Sequence, residues 1–165
     1  DSTAIWFAQR VGKEIHLIDY YETSGESLAH YADKLEEKGY HYSHHIAPHD
    51  IQARELGTGK SRLEVANELG IDFEVAPKLE VDHGIESVRN MLPHCYFDRE
   101  KCKLGLDAVR QYRKQWDDKN QVFKNKPLHD WCSHAADALR YGAVHEPIDT
   151  SEWQKPIRID TKYIV

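Results

Sequence analysis

Apolar and polar residues alternate along the first part of the chain in a way that predicts two strands and a helix. Residues 3–8 and 14–21 are strand-like, and the short connection between them contains Gly12, so we predict a hairpin. The next apolar residues recur every three or four positions, which is typical of an amphipathic helix: Leu28, Tyr31, Ala32 and Leu35. Gly39 is placed to end this helix.

Strand-like and helix-like segments continue to alternate in the remainder of the chain. Ser61 and Glu64 have the spacing of a capping box, which marks the start of one helix. We predict further strands at 40–47 and 73–76, a short apolar stretch at 95–97, and a polar loop at 117–127. Helices are predicted at 61–69, 81–92 and 130–144, and another, which Asp98 can cap, carries Cys102, Leu106, Val109 and Tyr112. This order indicates an α/β layered domain with an early hairpin and later helical crossovers. The pattern alone is compatible with several folds of that class.

Size and composition fit one domain. The chain has 165 residues, of which 40% are hydrophobic, and no apolar run approaches the roughly 20 residues of a membrane span. It contains three cysteines, Cys95, Cys102 and Cys132, and no Cys-x-x-Cys pair. The odd number and the spacing argue against a disulfide framework or a thiolate zinc site, so we expect a reducing intracellular compartment.

The net charge limits which kinds of binding are plausible. At −6 the chain is acidic, whereas a protein that holds DNA by charge alone is usually basic. A small-molecule enzyme or a protein-binding module is compatible with this charge. A nuclease is compatible too, if its acidic site is neutralised by metal ions and its basic residues are local.

Two places in the sequence carry candidate metal ligands. Asp50 follows a predicted strand, and ligand sites in open α/β sheets form beyond the carboxyl ends of strands. Helical spacing puts four polar residues of the last predicted helix on one face: Asp130, His134, Asp137 and Tyr141. Carboxylates are preferred ligands of Mg²⁺ and Mn²⁺. The alternatives are that Asp50 only turns the chain and that the helix face is an ordinary solvated one.

A basic loop precedes the second predicted helix. Residues 57–61 read Gly-Thr-Gly-Lys-Ser and resemble the end of a Walker A motif, but Arg54 occupies the position where the motif requires its first glycine. We therefore do not predict ATP binding here. Lys60 and Arg62 are instead candidates for contacting DNA phosphates, helped by the N-terminus of the following helix. The alternative is a plain helix-capping loop.

Histidine is abundant, with eleven in the chain, and this raises the possibility of a zinc site. His44 and His45 are adjacent on a predicted strand and therefore point to opposite faces. We interpret most of the histidines as structural or surface residues. His49 and His134 are the two expected beside the acidic site. The sequence contains no Gly-x-Ser-x-Gly elbow that would indicate nucleophilic catalysis.

Four segments, in order, resemble the nuclease domain of phage terminase large subunits. They are residues 1–7 (Asp-Ser-Thr-Ala-Ile-Trp-Phe), 47–50 (Ala-Pro-His-Asp), 58–62 (Thr-Gly-Lys-Ser-Arg) and 133–141 (Ser-His-Ala-Ala-Asp-Ala-Leu-Arg-Tyr). The resemblance implies a ribonuclease-H-like fold with a central mixed sheet flanked by helices. It also implies a two-metal endonuclease, using Mg²⁺ or Mn²⁺, that cuts concatemeric viral DNA when packaging starts and when the head is full.

The resemblance assigns roles to individual acids. The family's second acid matches Asp50 and its third matches Asp137, and Asp130 is expected as an auxiliary metal ligand. The family's first acid lies on a strand just before the segment that Asp1 begins, so we expect that first strand to be missing upstream of residue 1. The metal site of this sequence would then be incomplete, with weak or no activity. His134 and His49 are expected around the ligands.

The resemblance further implies a setting for the protein. The expected partners are double-stranded DNA, the terminase ATPase domain, the small terminase subunit and the portal protein, with no membrane. The nuclease domain is expected at 1–144, with a C-terminal tail at 145–165. The expected location is the host cytoplasm during phage assembly, and transiently the procapsid portal. Two alternatives stay open: a catalytically silent docking module for portal or motor proteins, and another ribonuclease-H-like nuclease such as a resolvase or transposase.

Overall fold

The chain folds into alternating strands and helices. The computed structural model describes residues 2–145, and Asp1 and the predicted tail from residue 146 onward lie outside them. Two 3₁₀ turns, His49–Gln52 and Leu92–His94, join longer elements. In chain order these are β1 (Ser2–Val11), β2 (Glu14–Ser24), α1 (Leu28–Lys38), β3 (His45–Ala47), α2 (Arg62–Glu68), β4 (Phe73–Val75), α3 (Val81–Met91), β5 (Cys95–Phe97), α4 (Lys103–Gln111), β6 (Lys114–Asp117), β7 (Val122–Pro127) and α5 (Ser133–His145).

The strands form three separately hydrogen-bonded sheets. The predicted N-terminal hairpin is confirmed, since β1 pairs antiparallel with β2, and Gly12 adopts a left-handed φ of 61° in the turn. β5 pairs parallel with β2, so the first sheet is mixed, with the order β1-β2-β5. β3 and β4 form a parallel pair, and β6 and β7 form an antiparallel hairpin. The α/β class with a mixed sheet is thus confirmed, but one continuous central sheet is not found within residues 2–145.

Helix boundaries follow the predicted signals closely. Ser61 and Glu64 make both hydrogen bonds of a capping box at the start of α2. Gly39 ends α1 in the left-handed conformation, with a φ of 67°. Pro93 lies in the 3₁₀ turn that follows α3. None of the helices in the described part of the chain is long and apolar enough to cross a membrane.

Helix α5 packs across the first sheet and the β3–β4 pair and completes the core. It contacts both β1 and β3, and the Trp6 indole Nε1 donates a hydrogen bond to the Ala135 carbonyl at 2.9 Å. Small side chains on α5 permit this close approach, since Ala135 and Ala143 are both buried. The buried cluster consists of Ile15, Leu17, Tyr20, Met91, Cys102, Ala108, Cys132, Ala135, Leu139 and Ala143.

Three sequence-based predictions differ from the structure. The strand predicted at 40–47 is limited to β3, because Tyr40 and Tyr42 use their side chains to bond Asp19 and the Leu35 carbonyl instead of extending the sheet. The loop predicted at 117–127 contains most of the β6–β7 hairpin. The last helix was predicted to start at residue 130 but starts at Ser133. It also extends to His145, one residue into the predicted tail.

Candidate functional site

Asp50 lies in the 3₁₀ turn that follows β3, as the strand-end pattern predicted. Pro48 enters the turn with extended backbone, and Ile51 is buried and anchors the turn to the core. The Asp50 carbonyl accepts a hydrogen bond from the Ala53 amide at 3.0 Å, which closes the turn. The Asp50 side chain is exposed. A buried neighbour and a closed turn thus hold an accessible carboxylate at the end of a strand.

Asp137 lies on the second turn of α5 and is held by an arginine from the same helix. Arg140 Nη2 lies 3.0 Å from Asp137 Oδ1, and the two side chains are 12% and 38% exposed respectively. The arginine stem packs against Gly84 of α3, where an added Cβ would lie 2.5 Å from Arg140 Cγ and Cδ. The absence of a side chain at Gly84 therefore lets Arg140 lie beside Asp137.

The Tyr141 hydroxyl is influenced by the charges of both acids. Burial raises the pKa of its hydroxyl, Arg140 opposes this, and the charges of Asp50 and Asp137 raise the pKa further. The geometry agrees with these effects: Arg140, which bonds Asp137, packs on the Tyr141 ring, and Asp50 and Tyr141 line the same cleft. The structure thus brings together two acids that are 87 positions apart in the sequence, one from a strand end and one from a helix.

His49, the residue before Asp50, lies beside Tyr141, and its predicted role around metal ligands stays a prediction. Its ring is 6.3 Å from the Tyr141 ring, centroid to centroid, and the Arg140 guanidinium carbon lies 5.0 Å from the same ring centroid. His49 Nδ1 and Arg140 Nε are buried and have no hydrogen-bond partner within residues 2–145. Two orphaned buried polar atoms beside two acids indicate a polar site that takes a further ligand, because such atoms are costly to leave unsatisfied.

Asp130 is placed differently from the prediction. It precedes α5, so it does not share a helix face with His134, Asp137 and Tyr141. Its Oδ1 accepts from the Cys132 amide at 3.0 Å, and its Oδ2 lies 3.2 Å from Arg113 Nη2. Because both oxygens already have protein donors, Asp130 serves the turn into α5, and its role as a metal ligand stays a prediction.

His134 lies on the first turn of α5, three residues before Asp137. It is half-buried, and its ring centroid is 5.7 Å from that of His129. The structure thus pairs it with a second histidine. Its predicted place around the metal ligands stays a prediction.

The basic loop before α2 is electrically balanced. Lys60 Nζ lies 2.5 Å from Glu68 Oε1, and Arg62 Nε lies 3.4 Å from Glu55 Oε1. The Gly59 amide donates to the Glu55 carbonyl at 2.8 Å, so the loop closes on itself and does not offer that amide to a phosphate. The capping box likewise occupies amides at the start of α2. A third exposed ion pair joins Arg54 to Glu64, and the exposed pairs of Lys60 and Arg62 are weak enough to exchange for phosphates.

A cleft of about 980 Å³ separates the first sheet from the β3–β4 pair. Both β1 and β3 are edge strands in the described part of the chain, because each is hydrogen-bonded to only one neighbour. Asp50 and Tyr141 are among the residues that line the cleft, together with apolar residues of β1, β3 and α5. Asp50 therefore borders a space between two open strand edges, whereas Asp137 is not among the residues that line it.

The described residues fit a divalent metal only in part. Asp50 and Asp137 offer the oxygen donors that Mg²⁺ and Mn²⁺ prefer, and His49 Nδ1 is a nearby unsatisfied atom. Within residues 2–145, however, no three or more His, Cys, Asp or Glu side chains form a group that could hold an ion. A two-metal site needs three or four carboxylates, so Asp50 and Asp137 alone would not complete one.

Sequence reasoning missed two features of this region. Arg140 was not singled out, although its place three residues after Asp137 puts it on the same helix face. The β6–β7 hairpin was predicted to be a loop. Its signal was the pair of short strand-like runs around the turn residues Asp117, Asp118 and Asn120.

Comparison with known proteins identifies the fold. No protein-family model matches the chain, and no curated protein matches it. Among solved structures, the nuclease domain of the large terminase g2p from bacteriophage SPP1, solved with bound manganese, matches with a TM-score of 0.63 and 22% identity, over 85% of this chain and 75% of that one. The large terminase of a thermophilic bacteriophage matches with a TM-score of 0.61 and 16% identity, over 87% of this chain.

The two matches differ in how much of the other protein they include. The chain spans 36% of the thermophilic phage protein, so activities that belong to the whole of such a protein do not follow from this match. At sequence identities of 16–22%, these structural matches establish the fold alone. The resemblance read from the sequence is confirmed at that level: the chain has the fold of the nuclease domain of phage large terminases.

Proposed function

We propose that this protein is a metal-dependent DNA endonuclease that cuts viral DNA during genome packaging, with a ribonuclease-H-like fold. The observation that carries the proposal is the placement of two acids around Tyr141: Asp137 bonds Arg140, which packs on the Tyr141 ring, and Asp50 lines the same cleft as Tyr141. The fold match to the SPP1 nuclease domain, which was solved with bound manganese, supports the choice of reaction and of metal.

Asp50 and Asp137 would hold Mg²⁺ or Mn²⁺. Two such ions supply water activation and charge stabilisation in phosphodiester hydrolysis. The role of the protein is to hold both carboxylates in position. Arg140 does this for Asp137, because its own position is restricted by Gly84 and by the Tyr141 ring.

The remaining ligands of a two-metal site must come from outside the groups already described. We propose that an extended strand carrying the first acid pairs in the cleft between β1 and β3. Both strands offer an open edge there, and unpaired edges are sites of strand addition. Asp130 is the other candidate, and it would have to leave Arg113 to bind an ion.

DNA would be held near the acids by local basic groups. Lys60 and Arg62 would exchange their glutamate partners for phosphates, which requires little energy because both ion pairs are exposed. The whole-protein partners belong to the same proposal: an ATPase motor domain, a small terminase subunit and a portal protein, in the host cytoplasm and at the procapsid portal.

The first experiment is nicking of supercoiled plasmid by this chain with Mn²⁺ and then Mg²⁺. We expect D50A and D137A each to lower the cutting rate by about 100-fold or more, because metal sites lose 10–100-fold even when a residue behind the ligands is changed. Asp33 is an exposed acid on α1, so D33A is the matched control and should cut like the parent. Calorimetric titration with Mn²⁺ gives a second readout that does not depend on cutting.

The outcomes separate an incomplete site from a wrong assignment. Equal cutting by the parent and D137A would refute the role of Asp137. If the folded parent does not cut, a longer polypeptide that includes the upstream strand is tested in the same way. If that polypeptide neither cuts DNA nor binds Mn²⁺ but binds a packaging protein tightly, the docking module is favoured instead.

A further inference from the structure

The β6–β7 hairpin is a basic segment in an acidic protein. Residues 113–126 contain five basic and two acidic side chains, a net charge of +3, whereas the whole chain has −6. The Asp117 carboxylate is engaged within the turn, because its Oδ1 accepts hydrogen bonds from the Lys119 and Asn120 amides. The side chains of Lys119 and Lys126 have no carboxylate partner within residues 2–145. The hairpin is therefore more basic than the balanced loop before α2.

The hairpin also exposes aromatic surface. Trp116 is 41% exposed and Phe123 is 64% exposed, and their rings meet edge to face with centroids 4.8 Å apart. No residue from 111 to 131 is buried, so this aromatic pair does not serve the core. Exposed aromatic pairs of this kind mark interaction surfaces more often than they mark stability.

The base of the hairpin adjoins the candidate acids. The Leu128 amide donates to the Arg113 carbonyl at 2.8 Å, which closes the base. Tyr112 immediately precedes it, and burial together with the charge of Asp137 raises the pKa of its hydroxyl to about 12. Helix α4, which ends just before the hairpin, packs against α5, so the base of the hairpin lies near the helix that carries Asp137.

We propose that the β6–β7 hairpin binds nucleic acid, stacking unpaired bases on Trp116 and Phe123 and contacting phosphates through its lysines. Aromatic faces interleaved with lysines are the recurring way in which proteins hold single strands, because every base has a face to stack. Its use in presenting a strand to Asp50 and Asp137 rests on the proposed nuclease function, whereas the binding itself does not.

Nucleic acid is favoured over a protein partner by charge. A protein-binding hairpin would need an acidic partner to match its lysines, whereas a phosphate backbone satisfies them regardless of sequence. Unpaired bases are favoured over duplex because the aromatic pair is open to solvent, and bases inside a duplex are already stacked on one another.

The test is fluorescence anisotropy of a labelled 20-nucleotide oligo(dT) and a labelled duplex, titrated with this chain in EDTA. We expect W116A/F123A to bind the single strand about ten-fold or more weakly for each base that it stacks, with a smaller effect on duplex. For K119A/K126A, the slope of log K against log salt for the single strand should fall by about 0.7 per lost phosphate contact. The conservative variant W116Y should retain most of the binding.

Matched controls distinguish a local role from general damage. Y96A removes another exposed aromatic ring, and K78A/K103A removes two exposed lysines elsewhere, so both should bind like the parent. Single-strand binding by W116A/F123A equal to that of the parent would overturn the proposal, and so would an equal loss for single strand and duplex. Thermal melting of each variant establishes that it is folded.

The same assay separates this inference from the proposed function. D137N removes a candidate metal ligand but should still bind the single strand in EDTA. Binding by the hairpin, together with no metal-dependent cutting by either this chain or the longer polypeptide, would refute the nuclease and leave this inference standing. If the protein cuts DNA in a metal-dependent way but the hairpin variants bind the single strand like the parent, the nuclease is supported and this inference is refuted.

Discussion

Replacing Gly105 by alanine tests the closest packing in the core. Gly105 lies in α4 against two aromatic rings, and an added Cβ would lie 2.5 Å from Trp6 Cη2 and 2.8 Å from Tyr20 Cδ2. Neither ring moves easily, because Trp6 bonds the Ala135 carbonyl and the two ring centroids are 4.5 Å apart. The substitution therefore forces an overlap between rigid groups.

Two effects of opposite sign decide the result. Alanine in place of glycine favours a helix by at most about 1 kcal/mol. Overpacking of a filled core costs about 1–3 kcal/mol, and the rigid rings around Gly105 place it in the upper part of that range. We therefore expect G105A to lower the free energy of unfolding by about 1–2 kcal/mol, which corresponds to a drop in Tm of roughly 2–8 °C.

The assay is urea unfolding followed by circular dichroism, and the control is another helical glycine. An added Cβ at Gly142 of α5 meets nothing within 4 Å, so G142A should raise the free energy of unfolding, by up to about 1 kcal/mol. If G105A were as stable as the parent while G142A behaved as expected, the packing described around Trp6 and Tyr20 would be wrong.

Two further predictions concern pH and the placement of Arg140. Burial lowers the pKa of His45 below its usual 6.5, so its contribution to stability is complete above that value and is lost as the pH falls through the lowered pKa. Unfolding measured from pH 7 to pH 5 should depend less on pH in H45Q than in the parent, and equal slopes would contradict this. G84A should push Arg140 away from Asp137, because its Cβ would lie 2.5 Å from the arginine stem. We expect G84A to bind Mn²⁺ about 10–100-fold more weakly than the parent, with a smaller loss of stability than in G105A. If folded G84A binds Mn²⁺ like the parent, this role of Arg140 is refuted.

Local signals were sufficient for most of the fold. The hairpin at Gly12, the capping box of Ser61 and Glu64 and the end of α1 at Gly39 depend on neighbouring residues, so they could be predicted from short stretches of sequence. The final helix was also predicted, but its first residue was not. There the Asp130 carboxylate bonds the Cys132 amide and Arg113, and this competition is set by a contact from another element.

What the sequence by itself determined about the site was the order and type of its acids. Asp50 after a strand and Asp137 on a helix followed from periodicity and from resemblance. Only the tertiary structure decided that both acids lie close to Tyr141, because packing of α5 across β1 and β3 brings distant segments together. It also decided that Lys60 and Arg62 have glutamate partners and that the supposed polar loop is a basic hairpin with exposed aromatic rings. Residue types and spacing specify which groups exist, whereas distances between groups far apart in the chain depend on how the elements pack.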